Sequence, residues 1–155
     1  MAKGKRLKKD LGEHKVVGID TGVFVHHFEG GEYSELTTVL LDRVQDGHCT
    51  GVVSTLSLAE VLRLPLKLGQ EGLADLYRVV FHEMPHLRMV ALDEDVACTA
   101  AQLEAEHGFS MADCIVLATA LESEATAVVT TRPGLEGVKG LQVIVLDEYL
   151  NGETH

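Results

Sequence analysis

Asp20, Glu60 and Asp113 each stand at or near a junction where an apolar strand or turn gives way to a helix, in "VVGIDTGVFV", "STLSLAEVL" and "FSMADCIVLATAL". The first stretch alone is compatible with three chemistries. Asp20-Thr21-Gly22 matches half of an aspartic-protease dyad, an Asp-x-Gly after a strand can bind a nucleotide phosphate, and a strand-ending aspartate can hold a divalent metal. Each acid also has a plain local role. Ser57-x-x-Glu60 spells a capping box, Ser110-x-x-Asp113 approximates one, and Asp20 serves as an N-cap worth about 0.5 to 2 kcal/mol.

The elements that must position these acids alternate. "KVVGI", "CTGVVS", "LRMVA", "TAVVT" and "LQVIVL" are short apolar runs bounded by turn or capping residues, and read as buried strands. Helical patterns lie between them: "SELTTVLLDRVQDG", "SLAEVLRLPLKLG" with Pro65 inside it, "EGLADLYRVVFHEM", "DEDVACTAAQLEAEHG" and "SMADCIVLATALESE". Strands trading places with helices predict an α/β layer fold, a mostly parallel sheet between helices. Aspartic proteases are β-rich, so the alternation argues against that reading.

In a parallel sheet the carboxyl ends of the strands share one edge with the N-termini of the helices that follow them. Acids at these junctions can therefore converge. Carboxylates a few ångströms apart repel, and a divalent cation removes that cost. All-oxygen donors suit Mg²⁺ or Mn²⁺, ions that favour phosphate substrates, and the matching chemistry is metal-assisted hydrolysis of a phosphodiester.

Composition sets the frame. At 155 residues the chain suits one domain, which buries roughly two thirds of the surface its unfolded form exposes. Cys49, Cys98 and Cys114 are odd in number and lack any CxxC, so they read as reduced core residues rather than disulfides or a zinc cluster. No apolar run reaches the ~18 residues of a membrane span, and no signal-peptide core follows "MAKGKRLKKD"; a cytoplasmic location without membrane contact is the expectation. Residues 1–15 hold six of the thirteen Lys and Arg, which leaves a balance of −15 over residues 16–155. The body should repel nucleic acid, and the segment 1–15, the one phosphate-binding patch, reads as an unpacked, solubilising basic arm or else as a nucleic-acid contact. The expected organisation is that arm, a domain over 16–150 and a flexible tail over 151–155.

"IDTGVFV" at the end of the first strand, the glutamate of "STLSLAEVL", and "MADCIVLATALE" followed by "TAVVTT" resemble the PIN domain family in order and near spacing, over residues 16–147. The resemblance implies a three-layer α/β/α sandwich around a five-stranded, mostly parallel sheet. It implies a Mg²⁺- or Mn²⁺-dependent endoribonuclease with a metal held by Asp20, Glu60 and Asp113, and with Thr21 or Thr130 positioning a carboxylate or water. Members of this size resemble VapC-like toxins, so the implied partners are an RNA substrate, an antitoxin protein and a second copy in a homodimer. The hairpin around Pro65 and Glu71-Gly72 is, by the same resemblance, a dimer or antitoxin contact, or else packing within one subunit.

The sequence departs from the family twice. Gly22 stands where the family usually has Asn, and Arg132 stands where a fourth acid is common, with Glu136 the nearest acid. Arg132 then pairs with a neighbouring acid, meets a substrate phosphate, or lies in a solvated loop. The strongest rival function is a degenerate PIN fold that binds RNA or protein without cutting. A sugar-kinase or actin-like ATPase needs a second phosphate loop and a longer chain, and a receiver domain needs an acid pair beside Asp20. His26 and His27 read as helix-surface residues, Gly30-Gly31 as a turn, and the acids of "LDEDV" as a helix start favoured by the macrodipole.

Overall fold

The computed structural model describes residues 2–151, with side chains from residue 4 onward. Five strands, β1 (Val16–Ile19), β2 (Thr50–Ser54), β3 (Leu87–Val90), β4 (Ala127–Thr130) and β5 (Gln142–Val145), form one sheet in the order β3-β2-β1-β4-β5. Every pairing is parallel. Seven α-helices are present among the described residues: α1 (Ala2–Leu11), α2 (Thr21–Glu29), α3 (Ser34–Gln45), α4 (Thr55–Lys67), α5 (Glu71–Glu83), α6 (Glu94–His107) and α7 (Met111–Glu122). A short 3-10 turn, Leu146–Tyr149, follows β5. This is the parallel layer fold that the alternation predicts and the α/β/α sandwich that the resemblance implies.

Period-two alternation along the strands divides the interior in two. Val17, Ile19, Val53, Ala127, Val129 and Ile144 belong to a core shared with Leu7, Leu11, Phe24, Leu36, Leu40 and Phe81 from the helices on one face. Val128 belongs to a second core with Val96, Ala100 and Leu103 of α6 and Leu117, Ala118 and Ala120 of α7. Helix α7 is apolar around most of its circumference because it lies between α6 and the sheet. Gly18 permits its close approach: a Cβ there would meet the Ala120 Cβ at 2.8 Å. That seating sets where the first turn of α7, and so Asp113, meets the sheet edge.

The N-terminal segment corrects an expectation. Residues 1–15 were expected to be an unpacked arm, yet Ala2–Leu11 is helix, with Leu7 and Leu11 fully buried against α3 and the sheet core. Arg6 lies over the Tyr149 ring at 4.2 Å and donates to the Glu148 carbonyl at 2.8 Å, while the Tyr149 hydroxyl donates to Asp10. The spacing of Leu7 and Leu11, four residues apart, carries the helical signal that charge obscured. Asn151 closes the described chain; the rest of the tail expected over 151–155 lies outside the described residues.

Two smaller expectations also change. Cys49 and Cys114 are buried, and burial pushes both thiols above their usual range, but Cys98 is exposed on α6. The α4 N-cap is Ser54, whose Oγ accepts from the Leu56 amide at 3.0 Å. Ser57 is therefore inside the helix, and Ser57 and Glu60 do not form a capping box.

Candidate active site

Strand order runs outward from β1 through β2 to β3 on one side and through β4 to β5 on the other. The reversal between β1 and β4 opens a crevice at their carboxyl ends, the place where open parallel sheets bind ligands. Asp20 follows β1, Thr130 ends β4 and Arg132 follows it. Helices α4 and α7 add Glu60 and Asp113 from the flanks.

The three predicted acids meet there, and Thr130 stands behind Asp20. A cavity of about 220 Å³ is lined by Asp20, Thr21, Glu60, Ser110, Asp113 and Arg132, among others. Asp20 caps α2, its Oδ1 accepting from the Thr21 amide at 2.8 Å, and its Oδ2 accepts from the buried Thr130 hydroxyl at 2.7 Å. Ser110 caps α7 by accepting from the Asp113 amide at 3.2 Å. Asp113, in the first turn, also lies in the favourable field of the helix N-terminus. Capping and site formation are therefore the same local event for Asp20.

Thr21 connects the third acid. Its hydroxyl donates to Glu60 Oε1 at 2.6 Å and accepts from the Ser57 hydroxyl at 2.8 Å. Ser57 was read as a cap, although its position three residues before Glu60 already put both on one face of a helix. Gly22 leaves room for Thr131, whose hydroxyl stands 2.5 Å from where a Cβ at position 22 would lie.

Arg132 resolves the alternatives left by the sequence. Its Nη2 donates to Asp113 Oδ1 and lies 3.4 Å from Asp20 Oδ2. Burial opposes the charge of the guanidinium, but the hydrogen bond to Asp113 and the charges of Asp20 and Asp113 outweigh it and raise its pKa. Its backbone amide donates to Thr130 Oγ1 at 3.1 Å, which anchors the start of the loop.

The donor set suits a hard divalent cation in kind, since the carboxylates and hydroxyls present only oxygen. Geometry supports the same fit for two acids: Asp20 and Asp113 turn one oxygen each towards a shared positive charge, the Arg132 Nη2. Glu60 lines the cavity but is held by Thr21, and among the described residues no three His, Cys, Asp or Glu gather closely enough to hold one ion. Asp20 and Asp113 are the pair whose donor chemistry fits a metal, and Arg132 is paired with both.

His26 packs against Tyr33 in a tilted arrangement with ring centroids 4.6 Å apart, and His27 Nδ1 lies 3.0 Å from the Thr37 hydroxyl; neither lines the cavity. Asp93 of "LDEDV" is the N-cap of α6, accepting from the Val96 amide at 2.9 Å, which bears out its structural role. A separate apolar groove of about 450 Å³ lies between α2, α4 and α5, lined by Val25, Phe28, Leu64, Leu73 and Tyr77, and shares Glu60 with the acid cavity.

Comparison with known proteins agrees with this architecture. Solved structures with the same fold include a toxin-antitoxin complex from Klebsiella pneumoniae, at 18% identity and TM-score 0.63, covering 82% of this chain and 95% of that one. FitAcB from Neisseria gonorrhoeae is similar at 19% identity and TM-score 0.64, covering 84% and 97%. VapBC2 from Rickettsia felis, bound to a DNA fragment from its promoter, is similar at 15% identity and TM-score 0.62, covering 83% and 96%. No curated protein matches the sequence. The family model of the PIN domain matches residues 17–138, most of the chain and every residue of the acid cavity, and the chain belongs to the PIN domain family.

Proposed function

We propose that the protein is a metal-dependent endoribonuclease, the toxin component of a toxin-antitoxin pair. The observation that carries this reading is the meeting of Asp20, Glu60 and Asp113 around one cavity at the β1/β4 crevice of a PIN domain. Asp20 and Asp113 would hold Mg²⁺ or Mn²⁺ directly, with Glu60 completing the set or orienting a water. When bound, the ion supplies Lewis-acid activation of water and neutralises charge on the phosphodiester. The chain's own contribution is positioning. Thr130 fixes the orientation of the Asp20 carboxylate, Thr21 and Ser57 fix Glu60, and the Ser110 cap fixes the turn that carries Asp113.

The partners follow from the same reading. The groove beside Glu60 offers an apolar channel to an antitoxin segment that reaches the acids. Leu64, Leu66, Leu68, Leu76 and Val79 are exposed on and around the α4–α5 hairpin, which supports a protein contact there, with an antitoxin or in a homodimer. Among the described residues no helix is long and apolar enough to cross a membrane. The reading places the protein in the cytoplasm.

One observation favours the second reading, a degenerate PIN fold that binds RNA or protein without cutting: Arg132 sits between two of the acids. Incubation of the protein with a mixed RNA pool in Mn²⁺ or in chelator separates the two. Cleavage that needs Mn²⁺ and disappears in Asp20→Asn supports the nuclease. RNA retention without cleavage at any metal concentration supports the binding module.

A further inference from the structure

We propose that Arg132 is a built-in latch on the acid cavity, a guanidinium that competes with divalent metal for the Asp20–Asp113 pair and must withdraw before an ion enters. The inference rests on the metal site of the preceding reading and concerns how that site is governed.

Three observations carry it. First, one nitrogen, Nη2, serves both carboxylates, reaching Oδ1 of Asp113 and Oδ2 of Asp20, so the guanidinium stands at the point where the two acids converge. A cation held by the same two acids would compete with it for their charge, and two positive groups there repel each other. Second, the pair is sheltered while the arginine is not: the Asp20 and Asp113 side chains are 4% and 12% exposed, against 55% for Arg132. The acids are fixed by caps and by Thr130, whereas the arginine reaches in from solvent on a long stem. Third, the backbone at Arg132 is pinned by its amide bond to Thr130 Oγ1. Withdrawal therefore needs rotation about side-chain bonds and leaves β4 and the loop start in place.

The arrangement also brings two acids together at little electrostatic cost. Two carboxylates facing each other across a small cavity repel, and a shared guanidinium offsets that repulsion. The same contact sets the threshold for metal. A site competent only in the open-latch fraction shows its intrinsic dissociation constant divided by that fraction. A latch closed in nine molecules of ten weakens apparent affinity about ten-fold.

Calorimetric titration with Mn²⁺ alone tests the latch on wild type, Arg132→Gln and Lys139→Gln. The last removes one positive charge at a cavity between α6 and the β4–β5 connection, away from the acids. The expected result is Mn²⁺ binding about ten-fold or more tighter in R132Q than in wild type, with K139Q close to wild type. Equal affinity in wild type and R132Q overturns the latch and leaves the metal site standing. Equal tightening in R132Q and K139Q also overturns it, because general electrostatics then suffices. Binding in R132Q with none in wild type at millimolar Mn²⁺ supports the latch and overturns the nuclease reading for the wild-type chain. No binding in any of the three overturns both. Should R132Q fail to fold, Arg132→Met preserves the stem without the charge and is read by the same outcomes.

Discussion

Thr130 Oγ1 donates to Asp20 Oδ2 at 2.7 Å, joining residues 110 positions apart at the carboxyl ends of adjacent strands. Both side chains are buried, and the same hydroxyl accepts from the Arg132 amide. One threonine thus fixes an acid and the start of the loop that carries its counterion.

Thr130→Val keeps the shape of that side chain and removes both hydrogen bonds. The expected cost is about 1 to 3 kcal/mol, because a buried charged acceptor loses a partner. Urea denaturation measures it. A change within a few tenths of a kcal/mol would mean that water replaces the hydroxyl.

Asp113→Asn should abolish Mn²⁺-dependent cleavage. A gain in stability from removing a repelling acid is what the sequence suggests, but Arg132 already offsets that repulsion. With a half-exposed arginine as the partner, the change should stay within about 1 kcal/mol of wild type. Parallel cleavage assays and urea melts check the two halves. Unfolding of both this variant and Asp20→Asn would instead show that the acids matter chiefly as helix-start residues.

Helix α1 is part of the core, so Leu7→Ala should destabilise the whole domain by about 2 to 5 kcal/mol, the cost of emptying a fully buried leucine site. Thermal or urea unfolding reports it. An unpacked basic arm predicts no change, and the two accounts therefore separate cleanly.

Burial pushes the His27 imidazole below its usual 6.5, with the charge of Asp42 pulling the other way. Below 6.5 the unfolded chain binds more protons at this position than the folded one, so stability falls as pH drops through the window between the two values. His27→Gln cannot titrate. Its stability should decline less than that of wild type as pH falls from about 7 towards 5. Urea midpoints across that range compare the two, and parallel slopes would rule the histidine out.

The strand-helix alternation, the strand-end position of Asp20 and the helix-start position of Asp113 were legible in the chain because each depends on local periodicity and capping. The packing of α1 was obscured because six cations in residues 1–15 outweigh two leucines in composition, while burial depends on the face that those leucines share. Ser57 was misread for a related reason. Ser-x-x-Glu is the same pattern at a helix start and one turn into it, and the end of β2 decides which.

By itself, the sequence determined the class of fold and the junction positions of Asp20 and Asp113, since hydrophobic period and helix-start chemistry act within a few residues, and its ordered motifs pointed to the family. Only the tertiary structure decided that the three acids share one cavity, that the Thr21 hydroxyl holds Glu60, and that Arg132 stands between Asp20 and Asp113. The physical reason is distance along the chain. Charge pairing and hydrogen bonding act over a few ångströms, and sheet order, which brings β1 beside β4, determines which distant residues come within that range.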